Sequence, residues 1–410
     1  MRIGWYLAWR QLRRASLWTT GLIVFVMFLT FLNLVIVTGV LVGIVEGINS
    51  IYQSKQFGDV AISAGENKNY IENSSQLISI IENSSEILSY SARYVSGGSV
   101  EANYKTRTDL NKKANTVGAQ VIGIDPTLED KFSKLSEQVI EGNYLDPEDF
   151  DKVLIGWYLL TQYQEKSPTG EDNLRNVGIG SRIRLSINDV RREVIVKGII
   201  KSKIEMGMSV FMTDKQLRAL VNRDDNNVSQ IVMKLKPGVS PEEFRDNLKF
   251  YATSDTKVQT FAEGIPSNVK DISTTFALLG NGLSSIGLVV AAITIFIVVF
   301  INAITRRKFI GILRGIGISG GAIEISYMFQ SLFYAIAGSG IGLVLIYGFL
   351  VPHFLKNPID FPFGDGILAA PIGGTAIRVL LLIVTTILAG YLPARMIVKK
   401  NILDSILGRN

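Results

Sequence analysis

Three runs without a single acidic or basic side chain constrain this chain more than anything else in it: residues 15–45, 272–305 and 325–355. Each is longer than the ~20 apolar residues that cross the ~30 Å hydrocarbon core of a bilayer. A fourth run, 372–394, carries only Arg378 near its start, where a long side chain reaches the polar interface. The pattern predicts an α-helical membrane protein with four transmembrane helices. Residues 48–270, of ordinary polar composition, predict an extracytoplasmic α+β domain inserted between the first and second helices.

Charge assigns the sides. Between residues 46 and 271 there are 28 Lys and Arg against 32 Asp and Glu, while the remainder has 14 against 4. The excess of positive charge behind the net +6 therefore lies beside the spans, which makes it a topology signal with no bearing on nucleic acid. Arg2, Arg10, Arg13 and Arg14 precede the first span, Arg306, Arg307, Lys308 and Arg314 separate the second from the third, and Arg395, Lys399, Lys400 and Arg409 follow the fourth. Basic loops stay on the cytoplasmic side. Both termini and the 306–323 loop are expected inside, and the 48–270 domain and the 352–371 loop outside, in a multi-pass protein of the cell (inner) membrane. The first run is too long for a signal-peptide core and lacks a cleavage pattern, so it reads as an uncleaved anchor.

Residues 1–14 alternate apolar and basic side chains at helical spacing, with Trp5 and Trp9 one turn apart. They fit an interfacial helix on the inner leaflet, or a plain basic flank with aromatic anchors. The uncharged parts of the first two spans would make helices of about 46 and 51 Å. That excess predicts that segments 15–47 and 271–305 each combine a span with a stalk. Spans three and four are placed at 324–351 and 372–394, with a cytoplasmic tail from 395 to 410. Gly338 and Gly342 in the third span are four apart, a spacing that lets helices approach closely, within the bundle or across a dimer.

Inside 48–270, Asp59–Ser63, Val117–Ile124, Ser209–Met212 and Ser229–Leu235 read as strands, and Arg182–Ile187 and Glu193–Ile200 as a hairpin turning at Asn188-Asp189. Thr127 reads as the cap of a helix to Leu135, a helix spans Asp214–Val221, and Ser240-Pro241-Glu242-Glu243 is a helix start. Two near-copies, Ile71-Glu72-Asn73-Ser74-Ser75 and Ile81-Glu82-Asn83-Ser84-Ser85, both read as helix starts. The acids Asp146, Glu148, Asp149 and Asp151 around Pro147 read as a solvated turn. Met206-Gly207-Met208 reads either as an exposed apolar contact or as a buried strand end.

Several chemistries have no residues to carry them. The sequence contains no GxxxxGK[ST] phosphate loop, and Gly178-x-Gly180 lacks the third glycine of a dinucleotide site. With no cysteine and His353 as the one histidine, thiol catalysis, histidine triads and His/Cys zinc sites are out. No catalytic, metal or cofactor residue is assigned. The first three spans hold no deep charge for an ion relay, so energy, if used, must come from outside the chain.

The remaining feature is the cytoplasmic stretch Arg306-Arg307-Lys308-Phe309-Ile310-Gly311-Ile312-Leu313-Arg314-Gly315-Ile316-Gly317. Ile310, Leu313 and Ile316/Gly317 recur at helical spacing, so one face is apolar and the other carries Arg314, as in a short amphipathic helix held against the membrane. It is either a topology-setting linker or a docking point for a soluble partner.

This stretch is similar to the "RRxEIGILRAIGA" segment of the FtsX-like/MacB-like permeases, the membrane subunits of type VII ABC transporters, including the lipoprotein-releasing and macrolide-export types. Trp9-Arg10-Gln11-Leu12-Arg13-Arg14 resembles that family's basic N-terminus. Gly390-Tyr391-Leu392-Pro393-Ala394-Arg395, followed by Asn401-Ile402-Leu403-Asp404-Ser405-Ile406-Leu407, resembles its closing pattern. Phe309 replaces the family's usual acid, and Asn401 its usual proline. The resemblance implies a non-catalytic permease, present as a homo- or heterodimer, that works by mechanotransmission. A separate cytoplasmic ABC ATPase, itself binding ATP and Mg, would dock on Arg306, Arg307, Phe309, Ile310, Gly311, Leu313, Arg314, Gly315, Ile316 and Gly317. Its stroke would move the outer domain, with or without an extracytoplasmic accessory protein, to export or extract a hydrophobic or amphipathic cargo such as a lipoprotein, peptide or drug. The alternative implied by the cell-division branch is a signalling protein that regulates an extracellular cell-wall hydrolase. A passive membrane-anchored scaffold would need no ATPase.

Overall fold

The computed structural model describes residues 2–66, 68–105, 114–166, 173–253, 255–361, 364–366 and 368–399. The closing stretch 401–407, with Lys400 and Arg409, lies outside them. The chain divides into two compact units: one of Met1–Glu46, Asp271–Ile359 and Asp365–Asn410, the other of Gly47–Lys270 and Asp360–Gly364.

Among the described residues, four helices are long and apolar enough to cross a membrane, and most of their length lies in the first unit. The first span is the helix Leu17–Ile51, continued by the π-helical turn Tyr52–Phe57. The second is Ser267–Thr305, at 39 residues about 58 Å long. The third is Gly320–Leu345 and the fourth Ile372–Val398. Close approach is built from small residues. A Cβ on Gly338 would lie 2.6 Å from Met27 Cβ, and one on Gly342 would enter the Phe31 ring, so the third span rests directly on the first. The fourth span meets the third in the same way, with Gly390 against the Ser331 hydroxyl. Met27, Phe31, Ile295, Tyr327 and Leu382 fill the seam.

The helix Arg2–Arg14 ends at the bend before the first span, and Gln330 Nε2 donates to Gln11 Oε1 at 2.6 Å, tying it to the third span. Trp5 and Trp9 stack with centroids 6.3 Å apart and both are exposed, as expected of an interfacial aromatic face. His353, on the short helix Val351–Lys356, stacks on Phe349.

The second unit is α+β. Its strands are β1 (Val60–Ala64), β2 (Ile87–Ala102), β3 (Thr116–Ile124), β4 (Val139–Gly142), β5 (Lys152–Gly156), β6 (Arg182–Ile187), β7 (Val190–Ile200), β8 (Ser209–Thr213), β9 (Gln230–Leu235) and β10 (Thr256–Thr260). They run in the order β10-β1-β9-β2-β3-β8-β5-β7-β4, with β6 bridging β2 and β7. The 16-residue β2 serves two cores. Its first half pairs β9 beside a core of Val60, Ile62, Ile231 and Met233, closed by helices Ser74–Glu82 and Pro241–Lys249. Its second half pairs β3 and β6 in a larger core around Val121, Ile155, Trp157 and Val196.

Local signals explain much of this. Asn188 and Asp189 both have positive φ, 46° and 65°, so the β6–β7 hairpin closes through a two-residue turn that asparagine and aspartate tolerate. Ser240 caps its helix by accepting from Glu243 N. Three expectations fail. The helix Pro126–Ser133 is capped by Asp125, which accepts from Thr127 N and Leu128 N, because Pro126 at the first position puts Thr127 inside the helix. Only the first Asn-Ser-Ser starts a helix. The second ends it at Asn83 and leads into β2, where the Ser/Tyr/Ala/Tyr alternation of residues 89–94 favours an extended chain over a cap signal. The acidic turn is anything but solvated at Asp149, which is buried and held by Lys152 and Lys197.

One ion pair is fully interior. Arg93 on β2 donates from Nε and Nη2 to the two carboxylate oxygens of Glu129, and Ser91 Oγ donates to the same carboxylate. Arg93 also donates from Nη1 to Gln56 O at 2.7 Å and from Nη2 to Lys55 O at 3.0 Å, two carbonyls of the turn that continues the first span.

Candidate functional site

The basic stretch folds as expected from its spacing, into the helix Arg307–Gly315 with Arg306 at its N-cap. It ends in a Schellman arrangement. Gly317 N donates to Arg314 O and Ile318 N to Leu313 O, with Gly317 at φ 93°, a conformation that a glycine adopts without strain. Gly317 thus stops the helix and turns the chain toward the third span.

Which face points where is the informative part. At 100° per residue, Ile312, Ile316, Phe309, Leu313 and Ile310 follow one another around an apolar arc roughly 160° wide. The bundle uses only half of it. Ile310 and Leu313 are buried in the same core as Met27 and Tyr327. Phe309, Ile312 and Ile316 are 48%, 51% and 71% exposed and form a continuous stripe at i, i+3 and i+7. The expected division, with Ile310, Leu313 and Ile316 on one face and a polar face behind, is therefore corrected: the arc is split into an inner pair and an outer triplet.

Of the ten residues singled out from the sequence, Phe309 and Ile316 lie on the open stripe, with Gly315 exposed nearby. Ile310, Gly311 and Leu313 are buried and hold the helix in place. Arg306 and Arg307 are half-buried. Arg314 Nη1 donates to Val398 O at 2.5 Å, so its guanidinium is engaged at the last turn of the fourth span. Ile312 was not singled out, although its i+3 spacing from Phe309 and i−4 spacing from Ile316 were the available signal. Among the described residues, no group of three or more His, Cys, Asp or Glu could hold a metal ion.

Comparison with known proteins gives the family. Residues 281–402 match the model of the FtsX-like permease C-terminal region, and residues 16–250 match that of the MacB-like periplasmic core domain, more than half of the chain. The chain belongs to the FtsX/MacB-type ABC permeases. It is a membrane permease with four apolar helices and an extracytoplasmic α+β domain between the first and second of them. A relative, the macrolide export ATP-binding/permease protein MacB of Bdellovibrio bacteriovorus, is 24% identical over 262 residues, 59% of this chain and 37% of that protein. An uncharacterized ABC transporter permease protein of Mycobacterium tuberculosis is 29% identical over 126 residues, 31% of this chain and 13% of that protein. The chain thus spans well under half the length of either. Among solved structures, it resembles the periplasmic region of MacB from Actinobacillus actinomycetemcomitans, with a TM-score of 0.34 at 13% identity over 52% of this chain and 90% of that one. The extracellular domain of the transporter YknZ from Gram-positive bacteria gives 0.34 at 12%, covering 49% and 99% respectively.

Proposed function

We propose that this FtsX/MacB-type permease receives the stroke of a separate ABC ATPase on the Phe309, Ile312 and Ile316 stripe, and passes it through its first two spans to the outer domain. The observation that carries this reading is the stripe itself. It is an apolar triplet left open on a helix whose other apolar residues are already packed, in a loop flanked by positive charge. An apolar patch with a polar rim is what a protein partner covers. Arg306 and Lys308 at its edge suit an acidic rim on that partner. In this reading both termini are cytoplasmic, ATP and Mg are bound by the partner, and two permease copies act together. The cargo is hydrophobic or amphipathic and is handled on the extracytoplasmic side.

The test is co-purification of a tagged permease in mild detergent, read as bound ATPase and ATP hydrolysis. Ile312→Asp and Ile316→Asp place a charge on the open stripe and are expected to release the ATPase with the permease still folded. Leu313→Asp buries an unpaired carboxylate and is expected to lower the melting temperature instead. An ATPase that stays bound to Ile312→Asp, Ile316→Asp protein would move the docking site elsewhere.

A further inference from the structure

The outer unit contains a cleft of about 330 Å³ that the ATPase reading does not use. It opens between the turn Tyr52–Phe57, where the chain enters this unit, and Gly264 and Pro266, near where it leaves. Its floor is one face of the sheet, where Ser63 on β1, Gln230 on β9 and Arg93 on β2 lie in register, and Gln120 on β3 is level with Ser209 on β8. The volume is at the lower end of small-ligand sites, about 300–1,000 Å³.

The chemistry of the lining is specific. Among the described residues, no hydrogen bond occupies the side chains of Ser63, Gln120, Gln230 or Gln259, so three amides and a hydroxyl line the space with no partner from the protein. Arg93 brings no free charge, because Glu129 neutralises it and the carbonyls of Lys55 and Gln56 take further donors. The charge left over is the Glu205 carboxylate. Gln56 Nε2 at 2.6 Å and Tyr52 Oη at 3.5 Å both donate to its Oε2, and among the described residues no hydrogen bond engages Oε1 of this lining carboxylate. Phe57, Ile122 and Met206 supply apolar walls, so Met206 is a buried wall of the cleft and not an exposed contact.

We propose that this cleft binds the amino-terminal end of a short apolar peptide. The protonated amine sits on Glu205 Oε1, the backbone amides pair with the amides of Gln120, Gln230 and Gln259, and an apolar side chain lies against Phe57, Ile122 and Met206. Glutamine amides match peptide amides donor for acceptor, and one uncompensated carboxylate selects one positive charge. Among the described lining residues, Arg93 is the one cation and it is already paired, so a free carboxylate or phosphate would find no counter-charge there.

The probe is the dipeptide amide Phe-Leu-NH2 and its N-acetyl derivative, titrated calorimetrically into the full chain in phosphatidylcholine nanodiscs, with empty nanodiscs subtracted. The free amine is expected to bind at least tenfold more tightly than the acetylated form. Glu205→Gln keeps an acceptor for Gln56 and Tyr52 and is expected to abolish that difference at an unchanged melting temperature. Gln230→Leu is expected to weaken both probes. Equal binding of the two probes, an unchanged preference in Glu205→Gln, or no saturable heat in the millimolar range would overturn the proposal. No ATPase is present in this experiment, so its outcome is independent of the docking test.

Discussion

At the residue scale, the outer unit depends on charges buried in pairs. Arg93 and Glu129 have side chains 3% and 0% exposed. Burial by itself would raise the Glu129 pKa, but the Arg93 charge and the Arg93 and Ser91 hydrogen bonds outweigh it and hold the carboxyl below its ordinary value. Removing one partner leaves the other charge unpaired, at a cost of about 3–5 kcal/mol. Arg93→Met is therefore expected to shift the urea midpoint of the outer unit strongly downward, measured by tryptophan fluorescence. Asp149 gives a pH prediction. Burial opposes its ionisation, yet bonds from Lys152 and Lys197 lower its pKa to about 2. A depressed folded pKa contributes stability that is present above the unfolded value, about 3.9, and lost as pH falls through the folded one. The wild-type melting temperature should fall between pH ~4 and ~2 more steeply than that of Asp149→Asn. Neither pair could be read from the sequence. Arg93 and Glu129 are 36 residues apart and Asp149 and Lys197 are 48 apart, separations over which no local spacing rule operates.

At the element scale, the third span separates glycines that matter from one that does not. Gly338 and Gly342 meet Met27 and Phe31, whereas a Cβ on Gly340 would meet nothing. Gly338→Leu and Gly342→Leu are expected to destabilise the bundle by about 1–3 kcal/mol through overpacking, and Gly340→Leu to leave it unchanged, read as thermal unfolding in detergent. The spacing of Gly338 and Gly342 announced close packing, but only the fold says against which helix. The short helix Arg307–Gly315 teaches the same lesson. Its existence follows from period 3.6 and the Gly317 stop, while the division of the apolar arc depends on where Tyr327 and Met27 stand. Elements whose signals are local, such as the Asn188-Asp189 hairpin and the Ser240 cap, were readable. At the second Asn-Ser-Ser a cap signal and a strand pattern overlap, and the pairing of β2 with β9 and β3 decides in favour of the strand.

At the scale of the whole molecule, the charge asymmetry makes a topological prediction that the composition makes easy to test. The sequence has no cysteine, so a single introduced thiol reports alone. Phe250→Cys, at a position 86% exposed on the outer unit, is expected to react with a membrane-impermeant maleimide in intact spheroplasts. Lys308→Cys, on the exposed side of the basic helix, is expected to react only after permeabilisation. Labelling of Lys308→Cys from outside would invert the topology and remove the ATPase docking proposal with it.

The two carbonyls that Arg93 takes from Lys55 and Gln56 have a mechanical consequence. A helix end is ordinarily its softest part, because its last carbonyls lack partners and the turn frays. Here that end is pinned to a central strand by the same guanidinium that neutralises Glu129, so bending it away would also unpair a buried carboxylate. Within the outer unit, the turn Tyr52–Phe57 and the strand β2 are thereby fastened through one side chain, and Arg93→Met would release both the turn and Glu129 at once.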